Sequence, residues 1–203
     1  MAPLVLKYFN FTGSAESIRW ALEIAGVEWE DKRLSKEEFM EQKPSLPNGQ
    51  IPVLEVDGFV LAQSLAILRY VGRIGGLYPT EPLDAAKCDS IMDCAQDLGG
   101  AARPSMMEKD EEKKKAMRKE LVENVVPKWL ANMEKQLVDA GGNFFVCDKL
   151  TIADLTIART LTMMKMLDHM DPAVLDGFPK LLAHMDSVTS VPKIAEFIAK
   201  HEK

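Results

Sequence analysis

The chain has 203 residues, 47% hydrophobic and 28% charged, with a formal net charge of -6 and a pI near 5.2. That is enough for one large core or two smaller ones, and both halves are mildly acidic, so neither offers the basic face a nucleic-acid backbone requires. No apolar run approaches the ~20 residues of a membrane span and no secretory signal opens the chain, so a cytoplasmic protein without membrane partners is expected.

In chain order, Leu4 to Phe9 is a short apolar run of the kind buried strands show. Asn10, Thr12 and Gly13 break it, and a helical period follows at Ile18, Ala21, Leu22 and Ala25, stopped by Gly26. Glu28 to Leu34 fits a second strand, with a short helix from Ser35. Pro47-Asn48-Gly49-Gln50 reads as a turn before the strand Ile51 to Val56, and Asp57-Gly58 predicts a hairpin into Phe59-Val60-Leu61. Ser64 is the expected cap of a helix with apolar positions Ile67, Val71 and Ile74, closed by Gly75-Gly76. The order is β-α-β-α-β-β-α.

From Pro82 the strand signals vanish. Helical stretches run from Leu83 to about Met107 and from Glu111 to about Val138, where Pro127 should kink or divide the second. Thr151-Ile152-Ala153-Asp154 reads as a capping box, with Asp154 reaching back to Thr151. The helix behind it is apolar nearly all round and should be buried. Pro179 and Pro192 open two further helices. An α/β domain over residues 1–78 followed by an all-helical domain over 83–203 is therefore expected, with Tyr78 to Pro82 between them.

Cys88, Cys94 and Cys147 form no C-x-x-C pair, and His169, His184 and His201 are far apart without an i, i+4 partner. Neither a dithiol redox motif nor a metal site is expected. Five places remain that carry chemistry, each with a plainer reading beside it. Tyr8, late in the first strand, is by itself a core aromatic, yet a cleft-facing hydroxyl there can donate to a thiolate. Ile51-Pro52 is either a strand boundary or a turn that presents the Ile51 backbone to an extended peptide. Gln63-Ser64 is either a plain helix start or a carboxylate site at the free amides of the first turn. Lys43 and Asp97 read alone as surface charges.

Together these residues resemble a cytosolic glutathione transferase of the sigma-like class. The order Tyr8-Phe9-Asn10, Gly13, Ala15-Glu16, Ile18-Arg19, Glu30-Asp31 and Arg33 is similar to that family's opening. Leu46-Pro47, Gly49, Ile51-Pro52-Val53-Leu54, Val56-Asp57-Gly58 and Gln63-Ser64-Leu65-Ala66-Ile67 continue it, and Thr151 to Asp154 matches a motif of the second domain. The resemblance spans the whole chain.

What it implies is a thioredoxin-like α/β first domain, an all-α second domain and a homodimer. It places Tyr8 as the thiol-activating tyrosine, with glutathione as co-substrate. Phe39 and Lys43 fall where the family contacts the glycyl end of glutathione. Gly49, Gln50 and Ile51 match the loop that pairs with the cysteinyl backbone. Gln63 and Ser64 match the γ-glutamyl carboxylate site, and Asp97 an acidic residue that reaches the amino group from a neighbouring subunit. The expected reaction is attack of the glutathione thiolate on an apolar electrophile, in a pocket that the resemblance sets near Gly13, residues 99–104 and the C-terminal segment. Peroxide reduction, a prostaglandin-type isomerisation, or a non-catalytic ligandin- or crystallin-like role use the same architecture. A thiol oxidoreductase would need a cysteine near the first helix, and positions 10 to 14 hold none. Three residues depart from the pattern. Ser14 stands where many sigma enzymes carry an arginine, Phe39 replaces a tryptophan, and Gln50 replaces a basic residue found in some members.

Overall fold

The computed structural model describes residues 3–167 and 170–201, so His169 lies outside the described residues. The chain divides into two compact units. The first runs to Tyr78 and takes in the segment from Val191 on; the second is Pro79–Ser190.

The first unit is built on a four-stranded sheet in the order β2-β1-β3-β4. Strand β1 (Leu4–Phe9) buries Leu4, Leu6 and Tyr8 on one side and leaves Val5, Lys7 and Phe9 partly covered, the alternation a half-buried strand requires. It pairs in parallel with β2 (Trp29–Leu34) and antiparallel with β3 (Val53–Val56), which turns back through Asp57-Gly58 into β4 (Phe59–Ala62). The crossover from β1 to β2 is helix α1 (Glu16–Ala25), ended by Gly26 in the left-handed conformation at φ 65°. Helix α2 (Lys36–Gln42) starts at a capping box in which Ser35 and Glu38 exchange bonds of 2.7 and 3.1 Å. Helix α3 (Ser64–Ile74) follows the hairpin and packs on α1. The β-α-β-α-β-β-α order and the thioredoxin-like arrangement expected from sequence are present.

One helix joins this unit from the far end of the chain. Helix α9 (Pro192–His201) lies against α1, with Lys193 donating to the Ile24 carbonyl at 3.4 Å and Phe197 6.3 Å from the Trp29 ring.

Among its described residues the second unit holds helices joined by loops and no strand. Helix α4 (Pro82–Met107) is followed by α5 (Glu111–Glu120) and α6 (Val126–Asp139). The division expected at Pro127 occurs, but one turn earlier, as a π-helical turn over Leu121–Val125. Proline has no N–H and its ring crowds the carbonyl four residues back, so the strain is relieved by widening the preceding turn. Helix α7 (Ile152–Lys165) is buried along most of its length, packed between α4 and α8 (Pro179–Thr189). Its start is secured by Asp154, which is fully buried. The carboxylate accepts the Thr151 amide at 2.7 Å, the Thr151 hydroxyl at 2.8 Å, the Phe145 amide at 3.0 Å and His184 Nε2 at 3.0 Å. A buried carboxylate with four donors is the condition under which burying a charge is tolerable.

Candidate active site

The strand registers bring the sequence candidates of the first unit to one end of its sheet. Lys7 lies opposite Val53, and Val53 opposite Ala62. Continued by one residue, the same registers set Tyr8 beside Pro52 and Pro52 beside Gln63. Tyr8, the Ile51-Pro52 turn and the start of α3 thus share one sheet end, although more than forty positions separate the first from the others.

At that end the Ile51-Pro52 bond is cis, Pro52 is buried and Ile51 is half-buried. Gln63 has φ 74° and ψ 114°, a left-handed backbone that costs a non-glycine residue about 1–3 kcal/mol. Ser64 was expected to cap α3; the structure makes it the first helical residue and Gln63 the N-cap. No side chain caps the helix and no acidic residue lies in its first turn. The reason is that Gln63 carries no short oxygen able to fold back onto the first amides, so they are left for an outside acceptor.

Tyr8 is buried, 7% exposed, and its ring lies 5.2 Å from Phe11 and 5.9 Å from Phe9. Phe39 meets Phe9 edge-on at 5.2 Å, and Lys43 Nζ stands 5.8 Å over the Phe39 ring. The Lys43 stem borders Gly49, which has φ 58°. Phe39, Lys43 and Gly49 therefore connect to Tyr8 through a run of aromatic rings, while Gln50 is exposed beside them. Asp97 lies exposed on α4 in the second unit.

The loop after β1 passes the Tyr8 hydroxyl closely. Ser14 approaches Oη with its amide at 3.4 Å and its Oγ at 3.3 Å. Gly13 makes this possible: it has φ 44°, and a Cβ there would fall 2.5 Å from both Tyr8 Oη and the Phe11 ring. Any larger residue would push the loop off the hydroxyl.

What holds the loop is Arg19, which is fully buried on α1. Its guanidinium donates to the carbonyls of Phe9, Phe11 and Thr12 at 3.4, 3.0 and 3.4 Å. It also pairs with Glu16 at 2.9 Å and with Asp31 on β2 at 3.1 Å. Arg33 pairs with Asp31 at 2.8 Å and reaches Asn10 at 2.8 Å, while Trp20 Nε1 donates to Glu16 at 3.2 Å. The sequence showed Arg19, Glu16, Asp31 and Arg33 only as parts of a resemblance. The one local signal was a cation inside the apolar face of α1, between Ile18 and Ala21, which a core helix does not accept without partners.

The three cysteines all belong to the second unit. Burial pushes the Cys88 thiol up to about 11, and Cys147 is exposed beside Asp84 in the second unit. Among the described residues no cluster of histidine, cysteine and carboxylate is fit to hold a metal ion, and no helix is long and apolar enough to cross a membrane.

Comparison with known proteins agrees with this architecture. Residues 4–73 match the model of the glutathione S-transferase N-terminal domain, and residues 96–201 that of the C-terminal domain. The chain is 37% identical over 201 residues to glutathione S-transferase 1 of Ascaris suum, covering 98% of this chain and 96% of that one. It is 34% identical to the hematopoietic prostaglandin D synthase of Gallus gallus over 98% of this chain and 96% of the relative. A solved Nu-class transferase from Haemonchus contortus superimposes with a TM-score of 0.88 at 38% identity, covering 99% of this chain and 98% of that one. The chain belongs to the glutathione S-transferase family of enzymes.

Proposed function

We propose that this protein is a sigma-like glutathione transferase in which Tyr8 Oη donates to the sulfur of glutathione and holds it as a thiolate for attack on an apolar electrophile. The observation that carries this reading is the place of the Tyr8 hydroxyl, at the sheet end that also holds the cis Ile51-Pro52 turn and the uncapped start of α3. An extended peptide laid along Ile51 brings its thiol toward Tyr8 and its γ-glutamyl carboxylate to the first amides of α3, beside Gln63 and Ser64. Lys43 and Phe39 take the glycyl end, and the Gly49-Gln50-Ile51 loop pairs with the cysteinyl backbone. Asp97 serves the amino group across a homodimer, and the protein works in the cytoplasm.

The energetics are within reach of one hydroxyl. Bringing a thiol from roughly 8.5 to near neutrality takes about 2 kcal/mol, and a hydrogen bond to a charged acceptor contributes about 1.5–3 kcal/mol. No covalent bond to the enzyme is needed. The likeness to a protein named hematopoietic prostaglandin D synthase favours, as a second reading, isomerisation by the same thiolate.

The test compares the parent with Tyr8→Phe in conjugation of glutathione to chlorodinitrobenzene across pH. A rate that collapses, with its pH midpoint displaced upward, is expected. Equal pH profiles in the two proteins would remove Tyr8 from the mechanism.

A further inference from the structure

Position 14, where the resemblance sets an arginine in many sigma enzymes, holds a serine that contacts the tyrosine oxygen. We propose that Ser14 is a positioning residue for the reaction: its N–H and Oγ–H occupy the acceptor sites of Tyr8 Oη and so commit the phenolic proton to the glutathione sulfur. The inference rests on the thiolate reading above and assigns to this chain's own departure from the pattern a role in it.

A phenol oxygen has one proton to give and can accept two hydrogen bonds. Both acceptor positions are served here by one residue, the amide at 3.4 Å and the hydroxyl at 3.3 Å. With both taken, the hydroxyl proton is turned away from the loop. Tyr8 is 7% exposed, so little water competes for these positions, and donors to a phenol oxygen strengthen the bond that the phenol itself donates. A serine hydroxyl brings no charge, so its contribution is smaller than a cation's, and it acts only if its direction is fixed.

Arg19 fixes it. By taking the carbonyls of Phe9, Phe11 and Thr12 from inside the unit, the guanidinium holds the loop so that the Ser14 amide faces Oη. Gly13, at φ 44°, lets Ser14 come this close. The buried cation thus reaches the site in two ways, through these peptide groups and directly, with its guanidinium 5.8 Å from the centre of the Tyr8 ring.

The test measures the titration of enzyme-bound glutathione by thiolate absorbance, together with kcat for chlorodinitrobenzene, in the parent and four variants. Ser14→Ala keeps the amide and removes the hydroxyl. It should raise the bound thiol's midpoint by about 0.5–1 unit and lower kcat below that midpoint about three- to tenfold. Ser14→Thr, which keeps a hydroxyl, should recover most of the loss. In the Tyr8→Phe background, Ser14→Ala should change nothing further, because the oxygen it serves is gone. Unfolding curves of parent and Ser14→Ala, and glutathione binding measured well below the midpoint where the thiol is bound protonated in both, are the controls and should coincide. A midpoint in Ser14→Ala equal to or below the parent's overturns the inference, as does an equal shift in the Tyr8→Phe background. If Tyr8→Phe alone leaves the bound thiol's titration unmoved, the thiolate reading fails and this inference with it.

Discussion

Each unit contains one buried charged group that organises backbone, and the two are of opposite sign. In the first, the Arg19 cation gathers three loop carbonyls; in the second, the Asp154 carboxylate gathers the amides of Phe145 and Thr151. The sign follows from which backbone groups the segment turns inward. A helix start turns amides inward and needs an anion; the loop after β1 turns carbonyls inward and needs a cation. The uses differ as well. Asp154 ends in a satisfied core, with His184 as its fourth donor. The Arg19 cluster ends at the Tyr8 hydroxyl, where the proposed chemistry begins.

The largest effects come from deleting the two charges. Asp154→Ala and Arg19→Ala each strand buried partners, and each should cost about 3–5 kcal/mol in urea unfolding. They should part in a second readout. An Arg19→Lys protein that still folds should show a displaced pH midpoint for conjugation, whereas Asp154→Asn should lower stability and leave that midpoint alone. A midpoint that moves equally in both would erase the distinction. A smaller effect is expected from Ser14→Arg, which replaces a neutral donor pair by a cation. It should lower the bound thiol's titration by about one unit, and an unchanged titration would show that charge near Tyr8 does not govern the sulfur.

The smallest effect separates the thiols. Cys147 is exposed and should react first with a maleimide, while Cys88, with its thiol pushed up to about 11, should stay protected until the protein unfolds. The Cys88 shift also sets a sign. An unfolded thiol ionises near 9 and the folded one does not, so this residue's contribution to stability declines as pH rises above about 9. Faster native labelling of Cys88 than of Cys147 would contradict the burial assigned to each.

What could be read from the sequence was whatever is local. The Thr151 to Asp154 box, the Ser35 helix start, the Asp57-Gly58 hairpin and the prolines that open α8 and α9 each depend on residues within four positions of one another. Pro127 gave the existence of a break but not its place, because the strain is relieved in the turn before it. Ser64 reads as a cap because serine is among the preferred capping residues. The left-handed Gln63 that takes that position is set by the hairpin's return to the sheet end, which no short window contains. Arg19 is the clearest case: its partners at Glu16, Asp31 and the loop carbonyls are assembled by the β1-α1-β2 crossover. In the sequence it is a single charge on an apolar helix face.

The placement of α9 carries a consequence for synthesis. The unit that bears Tyr8 is discontinuous, with the segment from Val191 on belonging to it and the whole of Pro79–Ser190 intervening. On the ribosome, α1 emerges early, but the helix that covers it begins about 165 residues later, a delay of roughly 8–33 s at ordinary elongation rates. During that interval the α1 surface around Ile24 and the Trp29 ring lack the cover that Lys193 and Phe197 later provide. The nascent chain therefore completes its helical unit before its sheet unit, and a message truncated just before Val191 would release a protein whose first-made part is its least finished.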